Sequence, residues 1–468
     1  MIDPAWRERQ GDAYERALDW LYASLNARGH LVREGGDLAR RHPAWTRALL
    51  DALGAPDRDV PALLVVGSKG KGSTAAMAAA ALGALGRPVG LCTSPHLLEV
   101  RERIRLDLRA VAPEELERAI EAVRGVGDAL RARMPAPAYQ SPVGLIAALA
   151  ALHYARRGAA YAVYEAGRGG LVDDVAEVAH AAVAVTPILL EHRRELGPTL
   201  ADIARHKAGA VRPGTRVVVT GRLAPAAAAA VARAARAVGA ARWALGRDVR
   251  LTPEGEGPDG RWRVRMETPA GGRHRLRVPL AGLHQADNLA VALAAAEALA
   301  GRPLPARAVA RALEGVRWPG RLETFPAPGG GAVLLDGAIE PQAVARALAH
   351  ARRHLPAPLA AVVGAGVDKN PPALWEEAAR GAAFVVVSRA RAPHLRFPPD
   401  DDGLAWAALD PARRAYRADL GEALALARAR AGEAGTVAVV GTLSLIGEAL
   451  ALLGRDAADL TAPATWRT

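Results

Sequence analysis

The sequence predicts an α/β fold with a mostly parallel sheet in each of two lobes. Short apolar runs such as Leu63–Val66, Ala160–Tyr164, Ala181–Val185 and Leu359–Val363 alternate with long alanine- and leucine-rich stretches at helical spacing. That alternation marks parallel strands buried on both faces by helices. One strand–helix junction, Gly67-Ser68-Lys69-Gly70-Lys71-Gly72-Ser73-Thr74, is framed by glycines and carries lysines and hydroxyls. Finally, Ser73, Ser94, Glu165 and His192 fall after predicted strands, and such sheets bind ligands beyond their carboxyl ends.

Taken in order, residues 11–53 read as helices, with Tyr14, Leu18, Leu21 and Leu25 on one face. Ala55-Pro56-Asp57 breaks the pattern before the strand Leu63–Val66, and Ala75–Leu85 continues the glycine junction as a helix. Gly86-Arg87-Pro88 turns the chain into a short strand, Val89–Thr93. Arg101–Arg109 is a charged loop or strand. Pro113–Met134 is a helix, with Pro113 at the start and Glu114 and Glu115 in the first turn. A second helix spans Pro142–Arg157. The strand before Glu165 leads into Gly167-Arg168-Gly169-Gly170, and Thr199–Gly209 and Arg216–Thr220 read as helix and strand. Residues 243–280 alternate in short segments around Gly-Pro-Asp-Gly and Gly-Gly turns, a small antiparallel excursion. Helices at Asn288–Leu299 and Pro305–Leu313 precede a linker, Val316–Arg321. A second α/β unit has strands at Val333–Leu335, Leu359–Val363, Phe384–Ser388 and Val437–Val440, and Asp400-Asp401-Asp402 reads as an exposed loop.

A chain of 468 residues can hold two or three cored domains. Hydrophobic residues reach 51%, yet no apolar run is long enough to span a bilayer. Met1-Ile2-Asp3-Pro4 lacks the order of a signal peptide. The single cysteine, Cys92, excludes an internal disulfide and a cysteine-built metal site. A cytoplasmic protein without membrane association is expected. The net charge of +12 is compatible with nucleic acid, an anionic small substrate or a GC-rich genome. The arginines are scattered over helix-like stretches, and aromatics at 4% leave little for base stacking. Solvated helix faces explain the charge, and no nucleic-acid partner is expected.

The glycine junction has its own chemistry. Glycines let backbone N–H groups close around phosphate oxygens, a lysine adds a point charge, and a hydroxyl such as that of Ser73 can ligate magnesium. A bare turn would need neither Lys71 nor Ser73. Gly67 and Gly70 are only three apart, unlike the usual G-x4-G-K-[ST] spacing.

In sequence order, the motifs resemble the folylpolyglutamate synthase and dihydrofolate synthase branch of the Mur ligase family over nearly the whole chain. Gly67–Ser73 resembles its short phosphate loop. Thr93-Ser94-Pro95-His96-Leu97 with Glu102-Arg103-Ile104 is similar to its folate-side loop, and Glu165-Ala166-Gly167-Arg168-Gly169-Gly170 to its glutamate-plus-glycine motif. His192, Leu196-Gly197-Pro198-Thr199-Leu200 and Lys207-Ala208-Gly209 follow its next block. Gly282-Leu283-His284-Gln285, Asn288 and Trp318-Pro319-Gly320-Arg321 match its domain junction. Asp336-Gly337-Ala338, Asp368-Lys369 and Gly441-Thr442-Leu443 continue the series. The resemblance implies a Mur-ligase-like P-loop domain over 1–314, containing the small β excursion, and a smaller Rossmann-like α/β ligase domain over 315–468.

It also implies a reaction. A carboxylate attacks the γ-phosphate of ATP to give an acyl phosphate, and the amine of an amino acid displaces phosphate. The expected substrates are folate or dihydropteroate and L-glutamate, the expected cofactors ATP and Mg2+, and the expected state a monomer serving folate biosynthesis and one-carbon metabolism. By the same resemblance Lys71 holds the β- and γ-phosphates within a cradle of Gly67, Gly70, Gly72, Ser73 and Thr74. Ser94 and Glu165 belong to one magnesium, with Ser73 beside it, and His192 to a second. Lys207 matches a lysine that is carbamylated in the family. Asn288 matches an adenine-side asparagine, and Arg321 and Asp336 match nucleotide contacts from the second domain.

The chain departs from the pattern on the acceptor side. It reads Asp336-Gly337-Ala338-Ile339-Glu340-Pro341 where the family usually has Asp-Gly-Ala-His-Asn-Pro. After Glu165 only Asp173 survives of a usual Arg-Leu-Asp-Ala-Thr-Asn run. Glu191 precedes His192 where Asp is usual, His206 replaces a glutamate, and Lys69 an asparagine. Losing a donor near developing charge costs about 3 kcal/mol of transition-state stabilisation. A ligase for a different acid and amine, or a nucleotide-binding protein without turnover, are therefore alternatives.

Overall fold

The computed structural model describes residues 13–27, 42–135, 138–392, 395–398, 410–458 and 460–461. Part of the helical reading of 11–53 (residues 11–12 and 28–41) and the Asp400-Asp401-Asp402 loop lie outside these. Within them, helices α1 (13–27) and α2 (Ala44–Ala52) pack on the first lobe.

The first lobe is built on β1 (Ala62–Val66), whose residues are all buried. Burying one Val or Leu side chain stabilises a fold by about 1.5–3 kcal/mol, and an apolar run of this kind is stable only with cover on both faces. Its neighbours are β5 (Tyr161–Glu165) and β6 (Ala182–Val185), both parallel to it. Strands β2 (Val89–Cys92), β7 (Val217–Thr220) and β8 (Ala241–Ala244) extend the parallel set. The charged stretch 101–109 forms a short 3-10 turn, Val100–Arg103, and then an antiparallel edge, β3 (Ile104–Leu106) and β4 (Arg109–Ala110). The complete order is β4-β3-β2-β5-β1-β6-β7-β8.

Helix α3 (Lys71–Gly83) is buried from Ser73 to Leu82. Apart from Met77 and Leu82 its buried side chains are small, so it fits closely between the sheet and α9 (His284–Ala300), itself alanine-rich and buried. α4 (Pro113–Arg133) and α5 (Pro142–Arg156) cover the opposite face. α6 (Arg193–Leu196), α7 (Leu200–Ala208) and α8 (Pro225–Ala237) follow β6 and β7, and α10 (Ala306–Glu314) follows α9. α10 ends at Glu314.

The antiparallel excursion is narrower than the sequence implied. Trp243 belongs to β8, which joins the main sheet in parallel, and the small sheet is β9 (Arg250–Glu256), β10 (Trp262–Glu267) and β11 (Arg273–Arg277). It is tied to α9 through the fully buried Glu297, which accepts from the Leu304 N–H at 2.9 Å and pairs with His274 Nε2 at 2.8 Å.

The second lobe is a six-stranded sheet of β12 (Glu323–Pro326), β13 (Ala332–Asp336), β14 (Leu359–Gly364), β15 (Phe384–Val387), β16 (Arg414–Tyr416) and β17 (Thr436–Gly441). Its order is β12-β13-β17-β14-β15-β16, parallel except for β12. α11 (Pro341–His354), α12 (Pro371–Gly381), α13 (Leu420–Ala431) and α14 (Leu443–Leu452) cover it. The lobes touch directly: a Cβ at Gly447 would collide with the Leu97 carbonyl oxygen, and Arg101 meets Asp456 at 3.2 Å.

Candidate active site

Register alone gathers the site. Val65 lies opposite Glu165, Val66 opposite Val185, and Cys92 opposite Tyr164. The residues that follow these positions therefore leave the sheet at one rim: Gly67 after β1, Ser94 after β2, Thr186 after β6, with Glu165 ending β5.

The loop after β1 has the backbone that its glycines allow. Gly67 has φ +143°, and a Cβ there would lie 1.9 Å from Thr186 Oγ1. Gly70 has φ +85° and caps α3; a Cβ on it would lie 2.5 Å from Asn288 Oδ1. Any other residue would strain the backbone and collide with its neighbour. The loop opens onto the N-terminus of α3, where unpaired N–H groups favour an anion. Ser73 and Thr74 lie buried in the first turn. Gln285 and Asn288, one turn apart on α9, support it: Asn288 Nδ2 donates to Gln285 Oε1 at 2.9 Å, and Gln285 Nε2 lies 3.5 Å from Ser73 Oγ.

Glu165 is 7% exposed, and its Oε2 accepts the Ser94 N–H at 3.1 Å. Burial pushes its carboxyl above the ordinary value, against the pull of Lys71, the Ser94 N–H, Arg321 and Arg105. Lys207, on which Lys71 also acts, is 1% exposed on α7. Its Nζ donates to the Gly67 and Arg168 carbonyls, both at 2.8 Å, and to Glu191 Oε1 at 3.3 Å. Burial, with Lys71 close by, lowers it to about 8. Burial opposes ionisation of Glu191, but Lys207, Ser68, Lys71 and Lys69 together hold its carboxyl below the usual range.

His192 caps the four-residue α6 with φ +50°. It lies seven residues past the end of β6, further from the sheet than the sequence pattern implied. Burial lowers its imidazole, and its charged neighbours are Glu191, Arg168, Lys207 and Glu195. Of the predicted residues, Glu165 bonds Ser94, Lys207 and His192 both lie beside Glu191, and Lys71 interacts with Glu165, Glu191 and Lys207.

From the second lobe, Arg321 acts on both Glu165 and Asp336. Asp336 Oδ2 accepts the Leu322 N–H at 2.9 Å, and burial raises its carboxyl to about 6. Sequence reasoning missed two features. Glu191 was noted only as a variant, yet it is the carboxylate bonded to Lys207. Lys69 and Glu340 were noted as separate departures, yet they pair at 3.0 Å; opposite charges at two unusual positions were the available signal.

Among the described residues no cluster of three or more His, Cys, Asp or Glu side chains is arranged to hold a metal. Magnesium does not require one, because it takes one or two carboxylates and completes its shell with water and substrate phosphates. The buried Glu165 carboxylate, with the Ser94 and Ser73 hydroxyls at the same rim, fits that demand.

No family profile matches the chain. It is 34% identical over 452 residues to a probable bifunctional folylpolyglutamate synthase/dihydropteroate synthase of Haloferax volcanii, covering 93% of this chain and 50% of that one. The chain thus spans half the length of that relative. It is 31% identical over 325 residues to the folylpolyglutamate synthase of Lacticaseibacillus casei, covering 69% and 75% of the two chains. Mycobacterium tuberculosis folylpolyglutamate synthase, solved with ADP and AMPPCP, superposes with a TM-score of 0.81 at 26% identity, over 93% of this chain and 99% of that one. The chain belongs to the folylpolyglutamate synthase/dihydrofolate synthase family, with its Mur-ligase-like two-domain fold.

Proposed function

We propose that the chain is an ATP-dependent carboxylate–amine ligase that adds L-glutamate to a folate or to dihydropteroate through an acyl phosphate. The observation that supports this most is the common neighbourhood of Lys71, Glu165 and Arg321, which joins the phosphate loop, the adjoining strand end and the second lobe. Residues 1–314 serve as the ATP-binding domain and 315–468 as the ligase domain.

In this reading the N–H groups of the 67–72 loop and the start of α3 surround the phosphates. Lys71 neutralises charge on the transferring group, and Arg321 adds a second cation when the lobes are together. Glu165, Ser94 and Ser73 would hold magnesium, which supplies charge stabilisation at the γ-phosphate. His192, with Glu191, is the candidate for a second cation. Asn288 sits against Gly70 on the adenine side. Lys207 orders the loop through the Gly67 carbonyl. Its three acceptors suit an ammonium, so we assign it that form rather than the carbamate of the matching family lysine. The protein acts as a monomer in the cytoplasm; among the described residues no helix is long and apolar enough to cross a membrane.

A second reading, ligation of another acid and amine, is favoured by Ile339 and Glu340 on the acceptor side. Purified protein with ATP, magnesium and a panel of acids and amines, scored by phosphate release, separates the two. Turnover restricted to folates and glutamate supports the first; turnover only with other acids rejects it.

A further inference from the structure

Two side chains that depart from the family's usual motifs meet each other. Lys69 is at the tip of the phosphate loop, and Glu340 immediately precedes α11 in the second lobe. Their side chains are 43% and 49% exposed, with Nζ and Oε1 3.0 Å apart. Lys69 Nζ also lies 3.9 Å from Glu191 Oε2, and Glu191 Oε1 is 3.3 Å from Lys207 Nζ. Charges therefore alternate from the second lobe, through the loop, to the buried lysine.

The pairing explains how both departures are tolerated. Glu340 alone would turn a carboxylate towards the seat of a polyanion. Lys69 alone would add a further cation next to Lys71 and Lys207. Together they are neutral. An exposed ion pair of this kind contributes little to stability, so it is not what holds the lobes together. It is easily exchanged, and a triphosphate offers Lys69 a stronger anion than one carboxylate.

We infer that Lys69 and Glu340 are a positioning pair: Glu340 holds the loop-tip lysine across the cleft, and the incoming nucleotide phosphates take that lysine over and release the 337–341 segment. The inference rests on reading the phosphate loop as the ATP seat.

Two measurements on the full chain test it. In the first, amide hydrogen exchange is followed without nucleotide. Lys69→Met should speed exchange of the amides of residues 337–340 at least ~3-fold through loss of local protection, with Lys69→Arg restoring it; unchanged exchange in Lys69→Met overturns the pairing. In the second, calorimetry measures MgATP affinity. Lys69→Met should weaken binding about 10-fold, the order of one lost charge-assisted contact. Glu340→Gln should tighten it, and the same substitution should gain more in the Lys69→Met background than in the wild type, because there the carboxylate is unpaired. Additive effects, or weaker binding in Glu340→Gln, overturn the exchange of anions. Absence of MgATP binding by the wild type would instead reject the ligase reading, and the hydrogen-exchange result would still decide the pairing.

Discussion

Gly70→Ala probes the phosphate loop with a change of one methyl group. Gly70 has φ +85°, and the added Cβ would fall 2.5 Å from Asn288 Oδ1 and 3.0 Å from its Cγ. The left-handed backbone costs a non-glycine residue about 1–2 kcal/mol. Asn288 is buried and bonded to Gln285, so turning it away sacrifices that bond, about 1 kcal/mol more. The loop can escape both costs only by leaving its present path, which moves the N–H groups at the start of α3. A penalty of roughly 2–3 kcal/mol on the binding-competent loop corresponds to about 30–150-fold weaker MgATP binding. Gly86→Ala is the matched control. Gly86 has φ +70° with nothing within 4 Å of its Cβ position, and it lies at the far end of α3. It should lose about 1 kcal/mol of stability from the backbone alone and keep its nucleotide affinity. Calorimetry with MgATP and urea unfolding of both variants separate the two effects. If Gly70→Ala binds MgATP like the wild type, the loop is not the nucleotide seat.

Other outcomes follow from the same geometry. Lys71→Ala should lower ATP-dependent phosphate release with folate and glutamate by about 100–1,000-fold, the usual cost of one transition-state charge partner; unchanged turnover rejects its role. Glu165→Gln should raise the magnesium requirement at least ~10-fold. Because the wild-type carboxyl is raised by burial, that requirement should also grow as pH falls in the wild type and stay flat in the variant; identical magnesium titrations would remove Glu165 from the metal site. Asp336 titrates at about 6 folded against 3.8 ordinarily, so its native carboxylate is disfavoured above pH 6 and the handicap vanishes below pH 4. Asp336→Asn should therefore be more stable than the wild type at pH 7.5 and equal to it near pH 3.5, while binding nucleotide more weakly; a loss of stability at pH 7.5 contradicts this. Lys207 should remain an amine titrating near 8, and carbon-13 bicarbonate NMR should reveal no carbamate on the wild type that is missing from Lys207→Arg. A lysine-dependent carbamate signal would overturn the ammonium assignment.

Much of this was legible from patterning. β1, β5 and β6 are short apolar runs because both their faces are covered, and a strand of that kind reads plainly even without alternation. The order of motifs carried the family, and the glycines at 67 and 70 marked the phosphate loop, while their positive φ and their contacts with Thr186 and Asn288 came only with the structure. The rest depended on distance. β8 reads like the excursion that follows it, since an edge strand is half exposed and polar, and only pairing with β7 assigns it to the main sheet. His192 follows a strand in sequence but stands seven residues beyond it, on its own short helix. Glu191 was an unremarkable substitution until Lys207 proved to be buried against it. Lys69 and Glu340 are 271 positions apart in the chain, 340 less 69, and no local signal joins them.

The central claim is that the cleft activates a carboxyl group with ATP for amide formation. It is tested most directly by incubating purified protein with ATP, magnesium, L-glutamate and either dihydropteroate or tetrahydrofolate, and reading product masses. The account predicts ADP, phosphate and a pterin product heavier by one glutamyl residue, formed over many turnovers. ATP bound without any such product, with both acids and at saturating glutamate, would contradict it.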